Sequence, residues 1–453
     1  MTDASRRLRS DARLIWRRGV AAADAFRLTR AALRLERGVL RAGEIRIPLE
    51  TVGTIAVIGG GKAGAGMALA VERILGARLL SAKNVHGWVN VPDRSVRELR
   101  TIHLWGARAK PDNRPTGRGV VGTRRIDSIL ASLGEHDLAL CLLSGGASAL
   151  LPAPVRGVSL ADKRRVTGLL QEAGAPIGEI NAVRKHLSRV KGGGWARRFG
   201  GERMIALILS DVVGDPIDAI GSGPTAPDRT SFSEAIRVLR RYSLWERSPR
   251  SVRSYLTAGA RGRRPETLKR LPHRVANMVI GNNRTALQGA AHTARELGYR
   301  VSVLSPELVG EAVEAGRLLA RLARSVRDEG KPVQPPACLL AGGETTVQLG
   351  RVHGLGGRNQ ELALAALAAC SADGMRDILI LSAGTDGEDG PTDAAGALAD
   401  ARVLRRALAL GLEPEDYLAR HDSYNFFNSL GGLLRTGPTG TNVMDLQIVL
   451  VGS

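Results

Sequence analysis

The residues of this chain that could do chemistry gather in short glycine-rich segments. GGGKAGAG, Gly59–Gly66, sets closely spaced glycines around Lys62. Such glycines let backbone N–H groups approach an anion, and the N-terminus of a following helix adds favourable potential. A lysine inside the turn can neutralise charge on a transferring phosphoryl group; the competing reading is a solvated side chain. Gly59, Gly61 and Gly64 literally satisfy GxGxxG, but a dinucleotide site also wants an acidic residue about 20 positions on to hold the ribose. Leu79–Ala82 fill that place. A Walker A loop is excluded as well, because Ala63 follows Lys62 where Ser or Thr is required.

Further segments offer matching chemistry. SGGASA, Ser144–Ala149, repeats the glycine-rich device with hydroxyls, against the alternative of a tight turn with a helix cap. INAVRKHLSRVKGGG, Ile180–Gly194, predicts about three turns of helix carrying Arg184, Lys185, His186, Arg189 and Lys191. That basic face is either solvated or binds a phosphate or a substrate carboxylate. Asp211 stands at a strand exit ahead of Asp215 and Asp218, and carboxylates beside phosphate cradles are typical Mg²⁺ anchors. Asp215, just before Pro216, suits a helix cap instead. Then come GGET (Gly342–Thr345), GLGGRNQE (Gly354–Glu361) and SAGTDGEDGPTDAAGA (Ser382–Ala397). Glycines around Arg358 suit bidentate contact to a carboxylate or phosphate, with an ordinary ion pair as the alternative. Asp386, Glu388, Asp389 and Asp393 form an acidic loop that holds metal or caps a helix, without the ligand spacing of a calcium loop. GPTGTN, Gly437–Asn442, is a last candidate for phosphate or ribose contact. His186 and His421 have no partner at triad or metal spacing and read as structural.

These loops need strands to position them. The first forty residues read as amphipathic helices, and Thr54–Ile58 then gives way through glycines to a helical pattern over Ala63–Leu75. Asp137–Leu143 and Met204–Leu209 are continuous apolar runs of buried-strand length, as are Val275–Ile280, Val301–Leu304, Ala337–Ala341, Asp377–Leu381 and Leu446–Val451. Nearly all end in Gly, Ser, Asn or Asp, where ligands bind in open α/β sheets. An Arg/Pro-rich stretch, Arg261–Pro272, marks a seam, with domains expected over residues 1–265 and 266–453.

With 453 residues, the chain exceeds one ordinary core of roughly 100–200 residues. Its formal net charge of +21 attracts anions of every size, from nucleic acid to small phosphorylated or carboxylated ligands. No aromatic residues interleave with the Arg clusters, Arg237–Arg274 included, so no nucleic-acid partner is expected. Cys141, Cys338 and Cys370 have neither CxxC spacing nor a neighbouring His, which fits a reducing cytoplasm. No apolar run reaches membrane-spanning length, so no membrane partner is expected. A homo-oligomer is compatible with the sequence, which leaves the oligomeric state open.

Taken in order, Gly59–Gly66, SGGASALLPAP, INAVRKHLSRVKGG, SDVVGDPIDAIGSGPT, IGNNRTAL, GGETTV, GRNQELAL, SAGTDGEDGPTDAAGA, DSYNFF and GPTGTNVMDLQIVLV resemble the glycerate 2-kinase family, whose C-terminal domain is named for a MOFRL motif. The resemblance runs from about Ile15 to the C-terminus. It implies a two-domain α/β fold, with an N-terminal Rossmann-like parallel sheet, a C-terminal α/β MOFRL-type domain and an active site in the cleft between them. It implies ATP-dependent phosphorylation of D-glycerate at the 2-hydroxyl, with Mg²⁺. Lys62 and Arg358 match the family's proposed active-site pair, and Asp386 is the first candidate for a base. ATP contacts are expected at Gly60, Gly61, Ser144, Gly145, Gly146, Lys191, Asn282, Gly343, Glu344 and Thr345, and metal contacts at Asp211 and Asp386. Two departures stand out: SGGASA has Ala147 where the family has a third glycine, and His103–Thr116 lacks the usual GHPxPD-like motif. An NAD(P)H-dependent hydroxypyruvate or tartronate-semialdehyde reductase is the alternative enzyme.

Overall fold

Every continuous apolar run named above is a strand in the computed structural model of the chain, which describes residues 3–109, 114–350 and 353–452. Two compact units result. One comprises Ala25–Ser210 and Asp215–Ile280, and the other Met1–Asp24, Asp211–Gly214 and Gly281–Ser453.

The first unit opens with a small antiparallel sheet, β1 (Leu33–Glu36), β2 (Val39–Ala42) and β3 (Ile45–Pro48). Helices do fill Asp3–Ala22 and Ala25–Ala32, but the expectation of helix through the first forty residues fails at Leu33. Glu36 pairs with Val39 and Ala42 with Ile45, so each turn has only two residues. Arg37 and Gly38 both take positive φ there, the backbone that matches the twist of a tight hairpin.

The main sheet of this unit runs in the order β6-β5-β4-β7-β8-β9, with β4 (Ile55–Gly60), β5 (His86–Pro92), β6 (Ile102–Arg108), β7 (Leu138–Leu143), β8 (Arg203–Leu209) and β9 (Val275–Gly281). Pairings from β6 across to β8 are all parallel. Both β4 and β7 are buried along their whole length, as apolar strands covered on two faces must be. A helical layer from Leu160 to Ala260 packs its own core around Val166, Leu170, Val183, Phe232 and Leu256. Its helix Ile177–His186 ends at His186, so Arg189 and Lys191 lie in the following loop rather than on the three-turn helix expected.

In the second unit the sheet order is β10-β11-β15-β12-β13-β14, with β10 (Arg300–Leu308), β11 (Ala337–Gly343), β12 (Ile378–Gly384), β13 (Gly396–Asp400), β14 (Leu433–Leu434) and β15 (Asp445–Val451). Among the described strands of this sheet, β10 and β11 alone pair in parallel; β15 inserts antiparallel to both β11 and β12. The buried helix Arg358–Ala369 and the helix Ala312–Glu329 contribute its core. Helix Asp3–Ala22 belongs to this unit: Arg9 Nε donates to Asp400 at 2.7 Å, Tyr299 Oη donates to Asp11 at 2.7 Å, and Ile15 and Trp16 are buried. The chain passes finally into this unit after Ile280.

Candidate active site

At the exits of the adjacent strands β4 and β7 the two glycine-rich turns pack on each other. Lys62 N donates to Gly145 O at 2.8 Å, Ala63 N to Ser144 Oγ at 3.0 Å, and Gly61 N to Asn90 O at 3.0 Å. Gly59 and Gly61 are demanded by this approach, since a Cβ on either would stand 2.0 Å from Leu142 O or from Ser144 Oγ. The amides of residues 61–64 therefore serve protein acceptors first. The Lys62 side chain lies over the neighbouring turn, with Cγ 3.4 Å from where a Cβ on Gly146 would be. Gly146 itself is left-handed, at φ 80°, whereas Ala147 begins the short helix Ala147–Leu150. The extra methyl at position 147 thus sits where any L-residue fits. Residues 110–113 of the other departing segment, His103–Thr116, lie outside the described residues. The first carboxylate after β5, Asp93, accepts from Arg118 Nη1 at 2.9 Å.

Past this turn, Ser148 gathers cations. Lys191 Nζ donates to Ser148 O at 2.9 Å, Ser148 Oγ at 2.8 Å, Ser222 Oγ at 3.2 Å and Gly221 O at 3.3 Å. Arg184 also donates to Ser148 Oγ, and to Asn181 Oδ1 at 3.3 Å. Burial holds Lys191 well below the usual lysine range, and Arg184, Lys163 and Lys185 push the same way. Lys185 has carboxylate partners, Asp218 at 2.9 Å and Asp228 at 3.2 Å. His186 is a structural residue, between Ala182 O at 2.7 Å and the Glu266 carboxylate at 3.1 Å.

In the mixed-sheet unit, Arg358 opens its helix with the guanidinium held on two sides. Nε and Nη2 donate to the two oxygens of Asp445 at 2.6 and 2.9 Å, and Nη1 donates to Glu344 at 2.6 Å. Burial alone would lower its pKa, but Asp445 and Glu344 outweigh it and fix the charge. Beside it, buried Asp389 accepts from Asn359 N at 3.1 Å, Gln360 N at 2.9 Å and Gln360 Nε2 at 2.9 Å, capping the helix. Desolvation raises its carboxyl to about 6, assisted by Asp445.

Asp386 stands just past β12, where its Oδ1 accepts from Glu388 N at 3.0 Å. A Cβ on Gly384 would be 3.1 Å from Asp386 Oδ1 and 3.4 Å from Asp445 Oδ1, so two carboxylate oxygens converge there. The GPTGTN loop joins Asp386 to Asp211: Thr439 N donates to Asp386 O at 3.2 Å, and Asn442 Nδ2 donates to Asp211 Oδ2 at 3.2 Å.

Of the residues expected from sequence, Gly60, Gly61, Lys62, Ser144, Gly145 and Gly146 meet at the β4 and β7 exits. Lys191 reaches Ser148, on the short helix that follows that turn. Asp211, Gly343, Glu344, Thr345, Arg358 and Asp386 belong to the mixed-sheet unit. Asn282 caps a helix through Thr285, and it is the next residue, Asn283, that reaches β15 by donating to Val443 O and Asp445 O. Asp445 escaped the sequence reading, although an acid opening an otherwise apolar terminal strand is a visible signal. His421 pairs with Glu361 at 2.7 Å, a contact invisible in their spacing.

Known proteins match this chain over most of its length. A domain-of-unknown-function model, DUF4147, matches residues 11–257, and the MOFRL family model matches residues 337–445. The glycerate 2-kinase of Pyrococcus horikoshii is 38% identical over 436 residues, 96% of this chain and 95% of that protein. A crystal structure of glycerate kinase from Thermotoga maritima superposes with a TM-score of 0.82 at 36% identity, covering 98% of this chain and 100% of that one. A relative from Agrobacterium vitis, 39% identical over 90% of this chain and 89% of that protein, carries a provisional name as a hydroxypyruvate reductase. By the extent of these matches across both units, the chain belongs to the glycerate 2-kinase family.

Proposed function

We propose that this protein transfers the γ-phosphoryl group of ATP to the 2-hydroxyl of D-glycerate, giving 2-phosphoglycerate and ADP. The observation that carries the reading is the near full-length match to glycerate 2-kinases, with Lys62 and Arg358 each at a strand exit or helix start of the kind that binds anions. Lys62 supplies positive charge to the phosphoryl group in flight. Arg358, oriented by Asp445 and Glu344, grips phosphate or the acid, and Asp386 is the first candidate to accept the hydroxyl proton. ATP contacts fall to Gly60, Gly61, Ser144, Gly145, Gly146, Asn282, Gly343, Glu344 and Thr345; Lys191, whose ammonium is taken up by Ser148, Gly221 and Ser222, supports them without direct contact. Catalysis on this reading is mostly positioning and charge stabilisation.

The donor set fits Mg²⁺. Among the described residues no group of three His, Cys, Asp or Glu could hold a metal ion, but Mg²⁺ needs only one or two carboxylates, with waters and phosphate oxygens completing its shell. Asp211 and Asp386, joined through the GPTGTN loop, would hold it, and its charge would be shared with the phosphate oxygens. A cytoplasmic setting belongs to the same reading, supported by Cys141, Cys338 and Cys370, all buried and free of disulfides. No helix among the described residues is long and apolar enough to cross a membrane.

Release of ADP with D-glycerate and ATP, measured for the wild type, Lys62→Ala and Arg358→Ala, tests the assignment. Turnover should fall by at least roughly 100-fold in each variant, the scale of losing one preorganised charge. Near-wild-type turnover would remove that residue from the mechanism. Oxidation of NADH by hydroxypyruvate, with no ATP-dependent reaction, would replace the kinase by a reductase.

A further inference from the structure

Among the described residues, no carboxylate pairs with the cations Arg184 and Lys191 around Ser148. Arg184 is part-exposed, and two of its five donors are used, on Ser148 Oγ and Asn181 Oδ1. Lys191 is 3% exposed, and its four acceptors are two carbonyls and two hydroxyls, none of them charged. Lys163, 5% exposed, stands behind them with its ammonium 3.3 Å from Leu187 O. The carboxylates that pair with this segment are held by other residues of it, Asp218 and Asp228 by Lys185, Glu266 by His186 and Asp127 by Arg189. Buried charges of one sign with only neutral partners are costly unless an anion completes them.

We propose that Arg184 and Ser148, with Lys191 behind them, form the subsite for the carboxylate of the acceptor acid. The assignment rests on the kinase reading above and deepens it. Arg184 has unused donors on a planar fork that matches two carboxylate oxygens. Lys191 is saturated by protein acceptors, so it acts as a positioning residue: it pins the Ser148 and Gly221 carbonyls without touching the ligand. Ser148 lies two positions beyond Gly146, over which Lys62 is laid. A three-carbon hydroxy acid seated at Ser148 therefore has its hydroxyl within reach of the turn where Lys62 meets the phosphoryl group.

Steady-state kinetics of Arg184→Gln, Arg184→Lys and Ser148→Ala against D-glycerate, D-glyceramide and ATP test this subsite, with melting curves to confirm folding. In Arg184→Gln, KM for D-glycerate should rise roughly 10- to 100-fold, as for loss of a charge-assisted hydrogen bond, while KM for ATP stays within about twofold. The wild-type preference for the acid over its neutral amide should collapse, a change that general loosening of the fold does not produce. Arg184→Lys should restore part of that preference. If KM for ATP rises and KM for D-glycerate does not, the anion is a nucleotide phosphate and the proposal fails; if neither moves, it fails as well. Should Arg184→Gln not fold, Ser148→Ala decides, with a several-fold rise in KM for the acid expected and an unchanged value overturning the assignment. Should the wild type release no ADP, the kinase reading falls, and calorimetric titration of D-glycerate into wild type and Arg184→Gln still reports on the subsite.

Discussion

Arg358 sits in a grip that its neighbours in sequence do not reveal. Its flanking glycines made it visible, but Asp445, which orients it, lies 87 positions away, beyond any local pattern. Lys62 was legible for the same local reason, and the partners of Lys191 and Arg184 were not, because they come from separate turns. Asp389 gives this neighbourhood a measurable pH signature. Burial lifts its carboxyl to about 6, above the unfolded value, so between roughly pH 4 and 6 the folded chain keeps a proton that the unfolded chain has released. Its contribution to stability is thus fully present below that window and is lost as pH rises through 6. Relative to Asp389→Asn, which cannot titrate, the wild type should lose up to about 3 kcal/mol between pH 4 and pH 7 in denaturant titrations. A stability difference that stays flat over that range would contradict the assignment.

At the scale of elements, the buried strands were readable because an apolar run covered on both faces carries no alternation to confuse it with a surface helix. The hairpins over residues 33–48 were not, since their signal is two short turns, one of them only an Arg-Gly pair at positive φ. Nor was the end of the helix at His186, where no glycine or proline stops the pattern. The glycine-rich turns were read as anion cradles, yet the structure gives Gly59 and Gly61 a prior duty in letting β4 and β7 exit side by side. Gly61→Ala should therefore lower stability by at least about 2 kcal/mol, because φ is 147° and the new methyl meets Ser144 Oγ. Gly168→Ala, within the helix Leu160–Glu172 and with nothing within 4 Å of its would-be Cβ, should instead gain up to about 1 kcal/mol. Thermal melts of the two variants, moving in opposite directions, check the pair; equal shifts would show that close packing is not what Gly61 serves.

At the scale of the molecule, two α/β units were foreseeable from length and from the grouping of strands. Their discontinuity was not, because nothing in residues 1–24 announces that they pack with strands more than three hundred positions later. The consequence is testable: deleting residues 1–24 removes Arg9 from Asp400, Asp11 from Tyr299 and the buried Trp16. The shortened chain should melt at lower temperature and be cut by protease first within 281–453, whereas an unchanged melt would show the helix to be dispensable. The same topology bears on synthesis. Because β15 sits between β11 and β12, the second sheet has a gap at its centre until residues 445–451 have left the ribosome. The helix Asp3–Ala22, made well before its partners, has no native cover until the helix Asn283–Glu296 follows, and its cover is complete only when β12 and β15 have formed. Until then the apolar surface of this unit lacks its native cover, the state in which a growing chain is most open to misassociation.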